Sequence, residues 1–600
     1  MRLILLGVIP LAGILVPACR PGPQDVQCEL DNNCDRFVGG ICHVAPSGNQ
    51  WCAYPDPACP SGYRYSDLDV GDGVSDQCVI PTHLLTVQVG GNGSGDVVSD
   101  PAGLTCSADT CSGEFTDDTV VQLSANATMG SFLGWAEACR GPGTCTVTMD
   151  RDQTVGALFG TPGTALWVKQ IGSEDIDSGV HVRIDGTGDL IAVGQFRRTI
   201  MVGPGLTSDG GHDIYVLKLS SSTGGVIWAR RFGGTSDDYV SDVTVDGLNN
   251  IYICGAFQGT VDFGGGPLTA TGSTATYALK FDADGNFGWV RKIDGSGLTG
   301  GAIAANGNTV IVAGDYTNSI TVDTTTLMSA GSVDVFTLKM SASTGATTWF
   351  RSFGGLSLDD AGSVALDSGG NVVLTGTFRD TVNFGGGPLS TPGPASLNGF
   401  LLKLADASGA HLLSKQFSSR ESHGAAIAID PANDIYITGG FQESVDFGCA
   451  SNPTASQANI ADVFLVKYTQ AGSCTWAKGF GGMATTSVSR VVSAIAVNNS
   501  GDVAVVGSFC GSISLGGGTL ASASACPKTD AFAARFASDG MHLNSVRAGG
   551  ISDDLGNGIA QSSDGRVFVT GRFSGFAEFG GEALNANGPS DAFIVGFAPM

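Results

Sequence analysis

Ile251-Tyr252-Ile253-Cys254-Gly255-Ala256-Phe257 is a β-branched and aromatic run that closes on Gly-x-Phe, and that ending recurs throughout the C-terminal two-thirds of the chain. It returns as Gly194-Gln195-Phe196, Gly314-Asp315-Tyr316, Gly376-Thr377-Phe378, Gly439-Gly440-Phe441, Gly507-Ser508-Phe509 and Gly571-Arg572-Phe573, seven copies at spacings of 61, 59, 62, 63, 68 and 64 residues. A fixed period of this size marks an array of one supersecondary unit. Tryptophans keep the same rhythm at Trp167, Trp228, Trp289, Trp349 and Trp476, with Leu413 and Leu543 near the two vacant places. A third marker is a strand opened by aspartate: Asp213–Lys218, Asp334–Lys339, Asp462–Lys467, Asp530–Arg535 and Asp591–Val595.

Each copy reads as a Trp-bearing strand, a Phe-Gly-Gly loop such as Phe232-Gly233-Gly234, a strand such as Val243–Asp246, a turn and the strand ending in Gly-x-Phe. A hairpin like Val261–Leu268 and a last strand complete it. Four main strands per unit predict a propeller blade. The pattern resembles the SBBP family, the β-propeller repeats of secreted bacterial proteins, across essentially all of 163–600. Repeats are expected at about 163–224, 225–285, 286–345, 346–409, 410–472, 473–540 and 541–600. Leu166–Lys169 enters as an outermost strand and Asp591–Phe597 ends as a third strand, so the N-terminal strand is expected to close a seven-bladed ring.

Composition agrees with an all-β chain. Glycine supplies 90 of 600 residues and charged residues only 14%, which suits short strands and tight turns rather than long amphipathic helices. The 42% hydrophobic content is enough for a large core. A formal charge of −26 with no basic run argues against nucleic acid and anionic membrane surfaces as partners.

The chain opens with Met1-Arg2 and an apolar run from Leu3 to Ala18, too short for a comfortable span and broken by Pro10 and Pro17, so 1–18 reads as a signal peptide. Val16-Pro17-Ala18-Cys19 resembles the bacterial lipobox, which implies lipid attachment at Cys19; Pro17 departs from the usual pattern. Residues 19–27 would be a stiff tether, and the absence of Asp at position 20 implies, by the same resemblance, the outer membrane. The alternative is a plainly secreted protein.

Sixteen cysteines fit an oxidising compartment and lack the paired spacings of zinc sites. Six of them, between 28 and 78, staple a module (28–80) too polar to bury a core, with 15 connectivities open. Alternating strands over 82–160, with the hairpin Gly90–Gly95 and Phe132-Leu133-Gly134-Trp135, resemble the internalin-type B-repeat family, which implies a small β-grasp-like spacer. Cys106–Cys111 and Cys139–Cys145 are the local bridges that short spacing permits. In the late repeats Cys510 and Cys526 flank one hairpin, Cys449 and Cys474 another, and both pairs are expected to bridge. Cys254 reads as a small buried hydrophobe.

Alternating strand direction sends the Phe-Gly-Gly loops and the Gly-rich hairpins to one face, the candidate binding surface. Asp175, Asp177, Asp237, Asp238, Asp359, Asp360, Asp553 and Asp554 collect in its loops. Such acids either cap backbone N–H groups or converge to bind calcium or a cationic partner; the third and sixth repeats lack them, which favours capping. No catalytic motif is present and the seven histidines are scattered, so no catalytic residue, metal ligand or resident cofactor is expected. Ser220–Trp228 and Ser341–Trp349 look like the Thr-Gly…Trp docking segment of quinoprotein dehydrogenases, which would imply pyrroloquinoline quinone and calcium; the Ala-x-Asp opening and the vicinal cysteines of that family are missing. The expectation is a lipid-anchored, surface-exposed, non-catalytic platform for a protein, peptide or glycan. The runners-up are a channel-based enzyme, such as a quinoprotein-like oxidoreductase, and a structural envelope component.

Overall fold

The computed structural model describes residues 28, 34, 37–45, 49–67, 73–90, 93–107, 110–139, 144–161, 163–298, 300–393, 396–457, 460–483 and 490–600. The expected signal peptide, tether and acylated Cys19 lie outside the described residues. Among the described residues every regular element is a strand, and no helix is long and apolar enough to cross a membrane. Two compact units divide the chain: Met1–Thr86 with Ser112–Val121 and Val147–Gln153, and Val87–Cys111 with Gln122–Thr146 and Thr154–Met600.

In the first unit, Ile41–Val44, Gln50–Pro55 and Tyr63–Tyr65 pair antiparallel into one small sheet. Cys28–Cys42, Cys34–Cys52 and Cys59–Cys78 are bridged, which selects one of the connectivities left open by the sequence. Its core is two small clusters, Cys28, Cys34 and Cys52 with Tyr54, and Ala45, Ala53, Tyr65 and Val79, so the bridges add order to limited apolar burial.

In the second unit, Ser94–Asp100 pairs antiparallel with Val120–Met129 and with Thr105–Cys106, and Gln153–Gly160 pairs with Ser131–Glu137. The β-grasp expectation for 82–160 is corrected here. A β-grasp needs a helix laid across its sheet, and the described residues of 82–160 contain none. Strands follow one another through tight turns instead: Gly130, at φ +79°, alone separates Val120–Met129 from Ser131–Glu137. Cys106–Cys111 and Cys139–Cys145 are bridged as expected, with Cα atoms 5.6 and 5.4 Å apart.

From 163 onward the strands fall into antiparallel sets of four, the arrangement of a β-propeller. Ser178–Ile184, Leu190–Phe196, Asp213–Leu219 and Val226–Phe232 lie side by side in chain order. The order repeats in Asp238–Val245, Ile251–Phe257, Ala275–Phe281 and Phe287–Ser296, and in Ala302–Ala305, Thr309–Val322, Asp334–Ser341 and Thr347–Phe353. Asp359–Leu366, Val372–Arg379, Leu397–Leu404 and His411–Phe417 follow, then Glu421–Ile429, Ile435–Gln442, Asp462–Tyr468 and Cys474–Phe480. Val491–Val497, Val503–Phe509, Asp530–Phe536 and His542–Gly550 form another set. In the last, Leu555–Gln561, Val567–Phe573 and Asp591–Phe597 are joined by Ala165–Ile171 from the start of the repeat region.

Burial explains the strand sequences. Middle strands such as Asp213–Leu219, Ile251–Phe257 and Val503–Phe509 are buried at every residue because sheets cover both of their faces, so they read as continuous apolar runs. First strands carry a recurring register shift, between Gly179 and His181, Val240 and Asp242, Ala361 and Ser363, Gly424 and Ala426, Val492 and Ala494, and Gly556 and Gly558. One extra residue there bends each of these six first strands where it lines the central channel.

Candidate functional site

The loop acids divide into two kinds. Asp177, Asp238, Asp359 and Asp554 have no exposed surface. Each binds the loop that carries it: Asp177 accepts the N–H groups of Ser173 (2.6 Å) and Arg197 (3.0 Å), Asp238 those of Gly234 (2.7 Å) and Gln258 (3.1 Å). Asp359 accepts from Gly355 (2.6 Å), and Asp554 from Gly550 (2.6 Å) and Ser574 (3.1 Å). Burial raises all four carboxyl groups, to about 6 for Asp177 and Asp238 and about 7 for Asp359 and Asp554, against the pull of those N–H groups.

Asp175, Asp237 and Asp553 are partly exposed and paired with basic groups: Asp175 with Arg198 (3.4 Å), Asp237 with Arg197 (3.1 Å) and His212 (3.0 Å), and Asp553 with Lys528. Backbone N–H donation, from Ile176 to Asp175 and from His212 to Asp237, holds both of those carboxyls below their usual range. Asp360 is exposed. These eight residues do not converge. Among the described residues, the group of three or more metal-capable side chains with ligand atoms within 4.8 Å is Cys28, Cys34 and Cys52, all of which are spent in disulfides.

The structure does bring together two markers that were separate in the sequence. The N–H of Asp177 donates to Ser590 (2.9 Å), that of Asp238 to His212 (2.7 Å), that of Asp359 to Val333 (2.9 Å) and that of Asp554 to Thr529 (2.8 Å). Each acceptor is the residue just before a strand-opening aspartate, so the buried acids stand beside Asp591, Asp213, Asp334 and Asp530 at the junctions between neighbouring sheets. At the opposite ends of the strands, acidic turns are neutralised from within: Lys218 reaches Asp185 (2.8 Å), Lys403 reaches Asp367 (2.9 Å) and Lys467 reaches Asp434 (3.0 Å).

A second candidate lies in the channel, a cavity of about 430 Å³ walled by the first strand of every set. Equivalent wall positions are Thr244, Ala304, Ala365, Ala428, Ala496 and Ala560, and the first set places Arg183 there. One step along, small residues such as Ala302, Ser363 and Ala494 are replaced by His181 and Asp242. Arg183 Nη1 donates to His181 Nδ1 (3.1 Å), and Asp242 Oδ1 lies 3.4 Å from Arg183 and 3.5 Å from His181. Burial holds the His181 imidazole down to about 4 although Asp242 opposes the shift, so it is neutral at physiological pH. The scattered histidines gave no sign of this trio in the sequence; equivalent wall positions compared across the repeats would have exposed it.

The tryptophan rhythm is packing. Trp167, Trp289, Trp349 and Trp476 donate their indole N–H to the carbonyls of Ser221, Ala342, Asp406 and Ser538, which follow the third strand of the neighbouring four-strand set. Gly224, Gly345, Gly409 and Gly540, all at positive φ, lie against the same rings. The Thr-Gly…Trp segments are thus docking turns between neighbouring sheets. Cys449–Cys474 and Cys510–Cys526 are bridged, and Cys254 is a buried free thiol.

Comparison with known proteins agrees with the propeller and with little else. No curated protein matches the chain. Among solved structures, the quinohemoprotein alcohol dehydrogenase from Comamonas testosteroni is 11% identical with a TM-score of 0.31, covering 72% of this chain and 76% of that one. The Dos1 propeller is 9% identical (TM-score 0.34; 72% and 95% covered) and Sqt1 from Chaetomium thermophilum 10% identical (TM-score 0.33; 73% and 99% covered). Likenesses this distant carry no argument about the site. Residues 227–256, from a fourth strand through the loop and first strand of the next set into its second, match the family described as Beta-propeller repeat, SBBP, so the chain carries a repeat of that family.

Proposed function

We propose that residues 163–600 form a closed ring of seven blades and that this ring is a rigid, non-catalytic binding platform for an extracellular or envelope protein, peptide or glycan. Closure is supported by the pairing of Ala165–Ile171 with Asp591–Phe597, which unites the first and last strands in one sheet. The platform reading is carried by the division of labour in the Gly-Gly loops. Buried Asp359 and Asp554 hold the loop backbones beside the exposed Leu356 (84%) and Ile551 (73%), and Met483 (78%) is exposed after the equivalent strand Cys474–Phe480. Fixed loops with apolar tips offer contact area at small entropic cost. We further propose that Cys19 carries the lipid that holds the chain at the outer membrane; the disulfides favour an oxidising compartment.

Immobilised protein should capture a partner from envelope or extracellular material that rebinds saturably when purified. Replacing Leu356, Met483 and Ile551 together by Ser should weaken that rebinding at least about tenfold at unchanged Tm; equal binding by the variant rejects this face. Mass analysis of the mature N-terminal fragment should find acyl groups on Cys19.

A second reading, a channel enzyme, draws on one observation, the break in the wall pattern at His181, Arg183 and Asp242. Turnover that is lost in Arg183→Ala and kept in the loop-tip variant would replace the platform reading.

A further inference from the structure

Of the junctions between sheets that hold aspartates, one lacks a side-chain donor to either acid. Two positions define each junction: the third-strand residue paired with the aromatic of Gly-x-Phe/Tyr, and the residue four places before His181, Asp242, Ala302, Ser363, Ala426, Ala494 or Gly558 on the next first strand. Ala275 is matched with Leu298, Asn398 with Ser422 and Asp462 with Arg490, an apolar, a neutral polar and an ion-paired solution. Arg490, fully buried, donates from Nη1 to Asp462 Oδ1 at 2.8 Å. The other four junctions hold two aspartates.

Three of those four have an outer-strand donor. Arg231 reaches Asp213 (2.5 Å), Arg547 reaches Asp530 (2.7 Å) and the Gln170 amide reaches Asp591 (2.6 Å). At Asp334 and Asp359 the equivalent outer-strand residue is Ser352, whose hydroxyl is engaged with Tyr316 (2.6 Å). Asp334 is 2% exposed and Asp359 0%. One oxygen of each is bound by its own loop, Asp334 Oδ2 by Ala330 N–H (2.8 Å) and Asp359 Oδ2 by Gly355 N–H (2.6 Å). Asp334 Oδ1 and Asp359 Oδ1 are both buried without a hydrogen-bond partner. Burying two carboxylates without a counter-charge is costly.

We propose that Asp334 and Asp359 bind a hard divalent cation, calcium, at this junction. The position is one where the fold already accepts a positive group, because Arg490 binds the equivalent oxygen of Asp462. An all-oxygen, doubly anionic donor pair suits calcium better than softer metals, and calcium would draw its remaining ligands from backbone carbonyls and water. The rival occupant is a proton shared by the two acids.

The full chain, stripped with chelator and dialysed, is titrated with calcium and separately with magnesium at pH 7.5, followed by calorimetry and thermal unfolding. One calcium per chain and a rising Tm are expected. The double variant Asp334→Asn, Asp359→Ser reproduces the Asn398/Ser422 solution and should fold while losing both responses. Asp359→Arg reproduces the Asp462/Arg490 solution and should be indifferent to calcium and need none for stability. Asp238→Asn, at another junction, should still bind. Wild-type protein that binds no calcium and whose Tm responds to pH alone overturns the proposal in favour of the proton, and calcium bound equally by both junction variants overturns the site.

Discussion

Asp554 shows what a loop acid does here. Burial lifts its carboxyl to about 7, with Asp530 and Asp553 adding to the shift and the N–H groups of Gly550 and Ser574 opposing it. The folded value lies above the ordinary 3.8, so its contribution is complete below about pH 4 and is lost as pH rises through 7. The Tm of wild type should therefore fall from pH 5 to pH 8, and Asp554→Asn should flatten that slope; an unchanged slope would count against a buried, proton-holding Asp554. Gly409 tests the docking turns. It sits at φ +67°, and a Cβ there would lie 3.0 Å from Trp349 and 3.1 Å from Arg351. Gly409→Ala should cost about 1–3 kcal/mol in urea unfolding, and a neutral result would mean that the indole yields. Capping was legible in the sequence because Asp beside Gly-Gly is local chemistry. The partnership of Asp359 with Asp334 was not, since they lie 25 positions apart in the chain.

Elements were the most legible level. Period-two alternation and continuous apolar runs located first, second and third strands, because each strand's burial is imposed by its place in a layered sheet. The hairpin cysteines were legible for the same reason: Cys510 ends the segment after Val503–Phe509 and Cys526 precedes Asp530–Phe536, and the two Cα atoms lie 5.3 Å apart. Replacing both with Ser should lower stability by about 3 kcal/mol, the entropy of a closed loop of this size, measurable as a Tm difference that vanishes in reductant. The 82–160 module was misread because alternation identifies strands without saying whether a helix crosses them. The described residues of 82–160 hold no helix, which the strand pattern alone could not foretell.

At the scale of the molecule, the strand Asp591–Phe597 lies between Val567–Phe573 and Ala165–Ile171, so it holds chain segments more than 390 residues apart in one sheet. Ending the chain at residue 590 should leave two open edges, and we expect the single unfolding transition of the intact chain to give way to aggregation or several transitions. A truncated chain that melts as one unit at the wild-type temperature would contradict ring closure. The amino-acid sequence by itself determined the repeat, its strand content and its local bridges, because periodicity, turn chemistry and cysteine spacing act over a few residues. Which side chains meet across the junctions and around the channel was decided by tertiary structure alone. Carboxylate pairs such as Asp334 with Asp359, and the His181–Arg183–Asp242 trio, arise when sheets from distant parts of the chain are stacked, and no short-range pattern encodes which residues that stacking places face to face.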